Sequence, residues 1–456
     1  MFVLVIMCIT NNRLFIRELM KPFLTYQDTN MWSTGENDQR TTLEEMQKLQ
    51  PKLQEVSKRI TLLQETGEHY FFEAPFDREV VNHLECLANQ AIKKFKQLLV
   101  IGTGGSSLGG SVLIQSLADE SSIQKNKALN ILFFSNPDPE IIAPWLKNTV
   151  DWKHTAINVI SKSGTTAEVM AIFLTLRKAL IKSVGQKAQS IHFFVTTELN
   201  ENPLHKLALK NGYTCIEHKT TIGGRFSVLS SVGLFPALCA GIEVKKLLKG
   251  AQWIEETHRR KGSLHSSALF AAHHYLAYQK KKPIHVIMPY AQKLSLFGQW
   301  YRQLWAESLG KISGGSFIGP TPVASLGTVD QHSQMQLYHQ GPDDKVITFI
   351  EAEKFRQDVY VPIVDKDSNS FCYLNDVSLT DFMRASCRGT AKALTKDNRA
   401  NGVIIIPSIS PESVGALIQF YEIAVVYMAL LLSVDPFNQP GVEEGKKQIR
   451  KQLAKK

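Results

Sequence analysis

The stretch IGTGGSSLGG, residues 101–110, follows the apolar run LLV of residues 98–100 and leads into a helical pattern. A buried strand, a glycine-rich turn and a helix start form the opening unit of a parallel α/β sheet. The same unit is a cradle for an anion, because unpaired backbone N–H groups at a helix start point toward negative charge. Two named templates can be tested on it. The dinucleotide fingerprint Gly-x-Gly-x-x-Gly fits Gly102 and Gly104 but meets Ser107 where its third glycine belongs. The P-loop spacing fits Gly105 and Gly110, with Ser111 in place of the phosphate-reaching lysine. Both templates fail, and smaller phosphorylated ligands remain.

Outward from this loop, strands and helices alternate. Residues 97–101, 129–134, 156–160 and 191–196 read as strands, with helices at 111–118 and 169–180 between them. The alternation restarts after a helical region that ends near Gln279. Residues 283–289, 345–351 and 402–407 read as strands, and 294–309 as a helix. Ser410-Pro411-Glu412 then opens a long apolar helix, with an N-cap serine and a proline at the first helical position. Such βα alternation implies an α/β fold whose parallel strands bind ligands at their carboxyl ends. The expected division is an N-terminal extension over 1–42 and two tandem α/β units over 43–244 and 245–456. Within the first unit a helix over 43–65 is expected to break near Pro51.

At 456 residues, 44% hydrophobic and 21% charged, the composition is that of an ordinary globular chain. The formal charge of +10 is spread along it. The one dense basic cluster, 446–456, has no aromatic residue to stack a base, so nucleic acid is disfavoured and anionic metabolites are favoured. Six cysteines without a C-x-x-C pair read as free thiols of a reducing compartment, and His273–His274 has no neighbour at metal-ligand spacing. No metal site is expected. The apolar start MFVLVIMCIT is too short to span a membrane and lacks a basic flank, so Met20 or Met31 is an alternative start. The apolar run 414–434 is nearly long enough, but it carries Gln419 and Glu422. An acidic residue at a helix centre costs about 2.5–3.5 kcal/mol on insertion scales. A buried core helix in a cytoplasmic protein with no membrane contact is therefore expected.

Five further stretches carry chemistry. SKSGTTAE, residues 161–168, offers four hydroxyls between a strand end and a helix start, as a phosphate monoester requires; the same residues also favour plain turns. GGRFSVLSS, residues 223–231, places Arg225 after two glycines, either as an anion contact or as a surface turn. QLWAESLGK, residues 303–311, sets Gln303 and Glu307 one turn apart on an aromatic helix. A carboxylate held in apolar surroundings is a stronger base than one in water, which suits proton abstraction, although an exposed glutamate near a glycine cap has the same pattern. GTVDQHS places His332 in a loop, and FNQPGVEEGKK, residues 437–447, ends in a helix bearing Lys446.

In this order along the chain, these segments and IGTGGSSLGG closely resemble the signature segments of the phosphoglucose isomerase family, over residues 95–447. The resemblance implies two sugar-isomerase (SIS) type three-layer αβα sandwiches with mainly parallel sheets. It places the active site between them in a homodimer, with a sugar-phosphate substrate and no cofactor. It implies an aldose–ketose isomerase that interconverts glucose 6-phosphate and fructose 6-phosphate through a cis-enediol. Matched residue by residue, Ser161, Ser163 and Thr166, with the backbone around Lys162, hold the phosphate. Gly105 and Ser106 contact the sugar, and Glu307 is the base between C2 and C1. Gln303 and Arg225 flank the intermediate. His332, from the partner subunit, and Lys446, with Gln439 nearby, serve ring opening. Val169 stands where many members have threonine, and Gly110 where proline is frequent. The rival expectations are a related isomerase that also accepts mannose 6-phosphate and a sugar-phosphate sensor without turnover.

Overall fold

The computed structural model describes residues 22–36, 38–125, 127–147, 150–363 and 369–454. The apolar start and Met20 lie outside the described residues. The strands are β1 Thr25–Gln27, β2 Gln97–Ile101, β3 Asn130–Phe134, β4 Thr155–Ile160, β5 Phe193–Thr197, β6 Thr214–Glu217, β7 Ile284–Pro289, β8 Lys311–Ser313, β9 Ser316–Ile318, β10 Thr321–Ala324, β11 Lys345–Lys354 and β12 Asn401–Ser408.

Two five-stranded sheets organise them. The first runs β3-β2-β4-β5-β6 and is parallel throughout. The second runs β1-β12-β11-β7-β10, parallel except for β1, which pairs antiparallel with β12. Both are covered on two faces, so their central strands read as unbroken apolar runs such as LLVI and VIII. Alternate residues serve opposite layers. Leu98 and Val100 face one core while Leu99 and Ile101 face another, and in the second sheet Ile350 and Ile404 are separated from Phe349 and Val403 in the same way.

The layer between the sheets is a single core, centred on the helix Pro411–Leu431, all of whose residues from Ser413 onward are buried. This helix is long and apolar enough to cross a membrane, and here its apolar stretch is buried inside the fold. Ser410 caps it, accepting a hydrogen bond from the Ser413 N–H, with Pro411 in the first turn as the sequence implied. It packs against the helices Val244–Lys261, Ser266–Gln279 and Leu43–Thr66.

Two readings need correction. The helix Leu43–Thr66 runs unbroken through Pro51, because Pro51 sits on its solvent face, where water can take up the carbonyl left unbonded four residues earlier. And β1, β6 and β10 are strands that the sequence pattern does not announce. They are edge strands of three or four residues, mixed in polarity, and β10 contains Pro322, which a sheet tolerates at an edge.

Candidate active site

The carboxyl ends of β2 and β4 carry the two loops that the sequence singles out. In the first, Gly104 adopts φ +56°, a left-handed turn that suits glycine. Gly105 then meets the Gly223-Gly224-Arg225 turn backbone to backbone. A Cβ on Gly105 would lie 2.1 Å from the carbonyl carbon of Gly224 and 2.6 Å from the amide of Arg225. The glycines thus let two loops touch where side chains would hold them apart, and the contact seats Arg225 behind the first loop.

The second loop follows β4. Ser161 and Thr166 share a hydroxyl–hydroxyl bond of 3.0 Å, as do Ser163 and Thr165. Thr166 occupies the N-cap of the helix Ala167–Val184 without capping it by its side chain, which leaves the first-turn amides without that acceptor, an arrangement suited to an anion. Lys162 turns its ammonium to the carbonyls of Thr220 (2.7 Å) and Ile222 (3.0 Å), with Glu198 at 3.7 Å. It braces the neighbouring loop. Val169, in the threonine position of the resemblance, is buried in the core.

Ser106, Lys162, Ser163, Thr166, Gln439 and Lys446 line one cavity of about 480 Å³. Behind it lies an ion pair. Arg225 Nη1 donates to Glu307 Oε1 at 3.1 Å, and Gln303 donates to the other Glu307 oxygen at 3.1 Å. Gln303 itself lies against Gly104, where a Cβ would come within 3.1 Å of its amide nitrogen. Here a further expectation is corrected. Trp300, Leu304 and Trp305 of the helix Ser295–Leu309 are buried, but the Glu307 carboxylate at its end meets the Arg225 guanidinium and the Gln303 amide, a polar, charged environment.

Arg225 is the most heavily bonded group of the site. Its Nε donates to Ser308 (2.8 Å), and its Nη1 reaches both Glu307 and Gln439 (3.0 Å). Its Nη2 donates to the carbonyls of Pro436 and Asn438. All five donors of the guanidinium are therefore in use. Burial lowers its pKa from the ordinary value, and the charges of Glu307 and Asp435 oppose that shift. Lys311 adds a second tie, donating to the carbonyls of Glu307 and Asn438. The segment 436–439 is thus bound to the helix that bears Glu307 by two cations.

The structure brings together Gly105, Ser106, Ser161, Lys162, Ser163, Thr166, Arg225, Gln303, Glu307, Gln439 and Lys446 within one chain. It does not bring His332 there. His332 is exposed beside the turn Val329–Gln331 and does not line the cavity, while Asp330 next to it is engaged by the Leu326 amide and the Ser333 hydroxyl. The sequence reading misses Ser308, Lys311, His69 and Phe437 as parts of the site. Ser308 and Lys311 stand in a quoted motif, but the signal read there is the Gln–Glu pair, and His69 belongs to no motif.

The family model for phosphoglucose isomerase matches residues 81–456. The chain belongs to the phosphoglucose isomerase family. Among relatives, the glucose-6-phosphate isomerase of Carboxydothermus hydrogenoformans is 37% identical over 393 residues, 84% of each chain. That of Thermus thermophilus is 35% identical over 382 residues, covering 83% of this chain and 87% of the other. Among solved structures, a hypothetical protein of Thermus thermophilus superposes with a TM-score of 0.85 at 31% identity, over 94% of this chain and all of the other. A glucose-6-phosphate isomerase of Chlamydia trachomatis shares the fold at a TM-score of 0.79 and 22% identity, over 95% and 88% of the two chains.

Proposed function

We propose that this chain is an aldose–ketose isomerase that interconverts glucose 6-phosphate and fructose 6-phosphate, with Glu307 as the base that carries a proton between C2 and C1. The observation that carries the reading is the Glu307–Arg225 pair, set behind the first glycine loop and beside the hydroxyl loop 161–166. The phosphate rests on Ser161, Ser163, Thr166 and the amides that follow them. Gly105 and Ser106 touch the sugar.

Electrostatics favour the transfer. When Glu307 takes a proton from carbon, its negative charge passes to the oxygen of the enediolate. Every donor of Arg225 is committed beforehand, and neutralising Glu307 frees Nη1 to turn to the new anion. The cation meets one negative charge before and after, so little reorganisation is needed in the transition state. Gln303 holds the second carboxylate oxygen and fixes which oxygen faces the carbon.

Lys446 and, across a homodimer interface, His332 of the second subunit serve ring opening. The active unit is a cytoplasmic homodimer that binds neither nucleic acid nor membrane, and each chain divides into the units 43–244 and 245–456. A coupled assay of glucose 6-phosphate formation from fructose 6-phosphate tests the reading. Turnover in the wild type should fall by about 10²–10⁴-fold in Glu307→Gln. Binding without turnover in both proteins would replace the enzyme with a sensor.

A further inference from the structure

A second cavity, of about 800 Å³, shares no lining residue with the one that holds Ser163 and Lys446. Its floor is the edge of the second sheet, where Gln27 of β1 pairs in register with Val403 of β12 and Glu351 stands on the next strand, β11. One wall is the helix Leu379–Lys396, and the other is the segment that carries Asn30, Thr34 and Arg40. Residues four apart share a helix face, so Arg388, Lys392 and Lys396 line the cavity in a row, spaced about 6 Å apart along the axis. The opposite wall is fixed. Arg40 is buried, donates from Nε and Nη2 to Asp38, and reaches the Asn398 side-chain oxygen at 3.4 Å. Glu351 is the one carboxylate of the lining. It is buried and both its oxygens are taken, by Arg388 at 2.9 and 2.7 Å and by Arg384 at 3.4 Å. By contrast, the ammonium groups of Lys392 and Lys396, the Gln27 side chain and the Asn398 amide nitrogen have no partner among the described residues. The single negative charge is answered twice, and two cations are left over.

We propose that this groove is a second anion site, which takes a small hydroxylated molecule bearing two phosphate groups. Surplus charge of one sign in a concave wall focuses the field and draws the opposite charge in. The row on the helix is longer than one phosphate. Lys392 and Lys396 stand one turn apart, and Arg388, whose Nε and Nη2 are spent on Glu351, keeps Nη1 for a ligand. Two separated anionic groups therefore match the row better than one. The amides of Gln27 and Asn398 suit hydroxyl groups on the chain between them. No aromatic residue lines the cavity, so a nucleobase has nothing to stack on, and the ligand is a phosphorylated carbohydrate or polyol rather than a nucleotide. Bound there, it would join the helix Leu379–Lys396 to the segment 27–40 and stabilise the folded chain. The inference stands apart from the catalytic reading, since none of its residues belongs to the catalytic cavity.

Isothermal titration calorimetry on the full chain tests it, with fructose 1,6-bisphosphate as the probe and inorganic phosphate and a thymidine oligonucleotide beside it. The probe should bind, and more weakly as salt is added. Its Kd should rise at least about 10-fold when Lys392→Gln and Lys396→Gln are combined. Combining Ser163→Ala and Thr166→Ala, in the other cavity, should leave that Kd within about 2-fold, as expected of separate sites. Both lysines are exposed, so the glutamine variant should unfold at the wild-type midpoint without ligand. The probe should then raise the midpoint of the wild type and not that of the variant. Lys392→Arg with Lys396→Arg should keep most of the affinity, because the charge stays. No binding by the wild type would overturn the proposal, as would a Kd unmoved by the glutamine pair. Binding lost in the Ser163 and Thr166 variant instead would place the probe in the catalytic cavity and overturn it too. Inorganic phosphate that binds as tightly as the bisphosphate would overturn the two-phosphate class, and an oligonucleotide that binds more tightly would replace it with nucleic acid.

Discussion

Arg225 and Lys446 are two cations of one site, held in opposite ways. The side chain of Arg225 is 1% exposed and has all five donors occupied. The side chain of Lys446 is 55% exposed, and its one salt bridge among the described residues is to Glu443 on its own helix. The helix Glu443–Leu453 that carries Lys446 buries no residue. One half of the site is therefore assembled before any ligand arrives, and the other is left adjustable. Proton abstraction at carbon needs a base fixed within a fraction of an ångström. A proton exchanged with a ring oxygen can be delivered by a longer, freer arm.

The sharpest way to break this contrast is to remove the fixed cation. Arg225→Gln should lower kcat by about 10²–10³-fold, as the loss of a preorganised donor does. It should also destabilise the fold by about 3–5 kcal/mol, because Glu307, Ser308 and the carbonyls of Pro436 and Asn438 lose their partner together. Denaturant unfolding and steady-state kinetics on one preparation check both. A loss of activity with an unchanged unfolding midpoint would mean that Arg225 is not the tie between 436–439 and the base. Lys446→Gln should give the opposite pattern: kcat falls about 10-fold or more while the unfolding midpoint does not move. A midpoint that shifts as it does for Arg225→Gln would place the last helix within the rigid half.

Lys311→Met tests the boundary between the halves. Its ammonium joins the carbonyl of Glu307 to that of Asn438, so its loss should loosen the segment that leads to Gln439 and Lys446. A fall in kcat of about 3–10-fold with little change in KM is expected, as a slight misplacement of the catalytic groups would give. Lys311→Arg should recover most of it. A rise in KM alone would place Lys311 in substrate binding instead.

The rigid half is also the half that is legible in the sequence. Buried parallel strands announce themselves as apolar runs, and the run 97–101 has the bounds of the folded strand. The glycine and hydroxyl loops are local in sequence, so their chemistry can be read from neighbouring residues. The wiring of Arg225 cannot. Its partners stand 82 to 214 residues away, and two of them are backbone carbonyls, which leave no trace in side-chain identity. The motif points to Glu307 but not to its surroundings, because helical periodicity tells which positions share a face and not what the tip of each side chain meets. His69 lies in EHYFFEAPF, where the aromatic residues outweigh it and no spacing marks it. Edge strands such as β6 and β10 are too short to show a period.

The smallest expected effect lies far from the cavity, in the rigid core that supports it. Glu255 and Glu422 are both fully buried between the helices Val244–Lys261 and Pro411–Leu431. Glu255 accepts from Gln64 (2.6 Å), Gln419 (3.1 Å) and Arg259 (3.1 Å), whereas neither oxygen of Glu422 has a partner among the described residues. Burial, and then the charge of Glu255, push the pKa of Glu422 well above the usual carboxylate value. Burial raises Glu255 too, against the pull of Arg259. A carboxyl with a raised pKa in the fold keeps its proton where the unfolded chain has released it. Its contribution is therefore full below about pH 4.3 and is lost as pH rises toward the folded-state value. Glu422→Gln keeps the shape of the protonated acid, carries no proton to lose, and can donate to Glu255. It should be more stable than wild type by about 1–2 kcal/mol at pH 8, and the gap should close as pH falls to about 4. A gap that is constant across that range would mean that Glu422 does not titrate on unfolding, and the gain would then belong to packing alone.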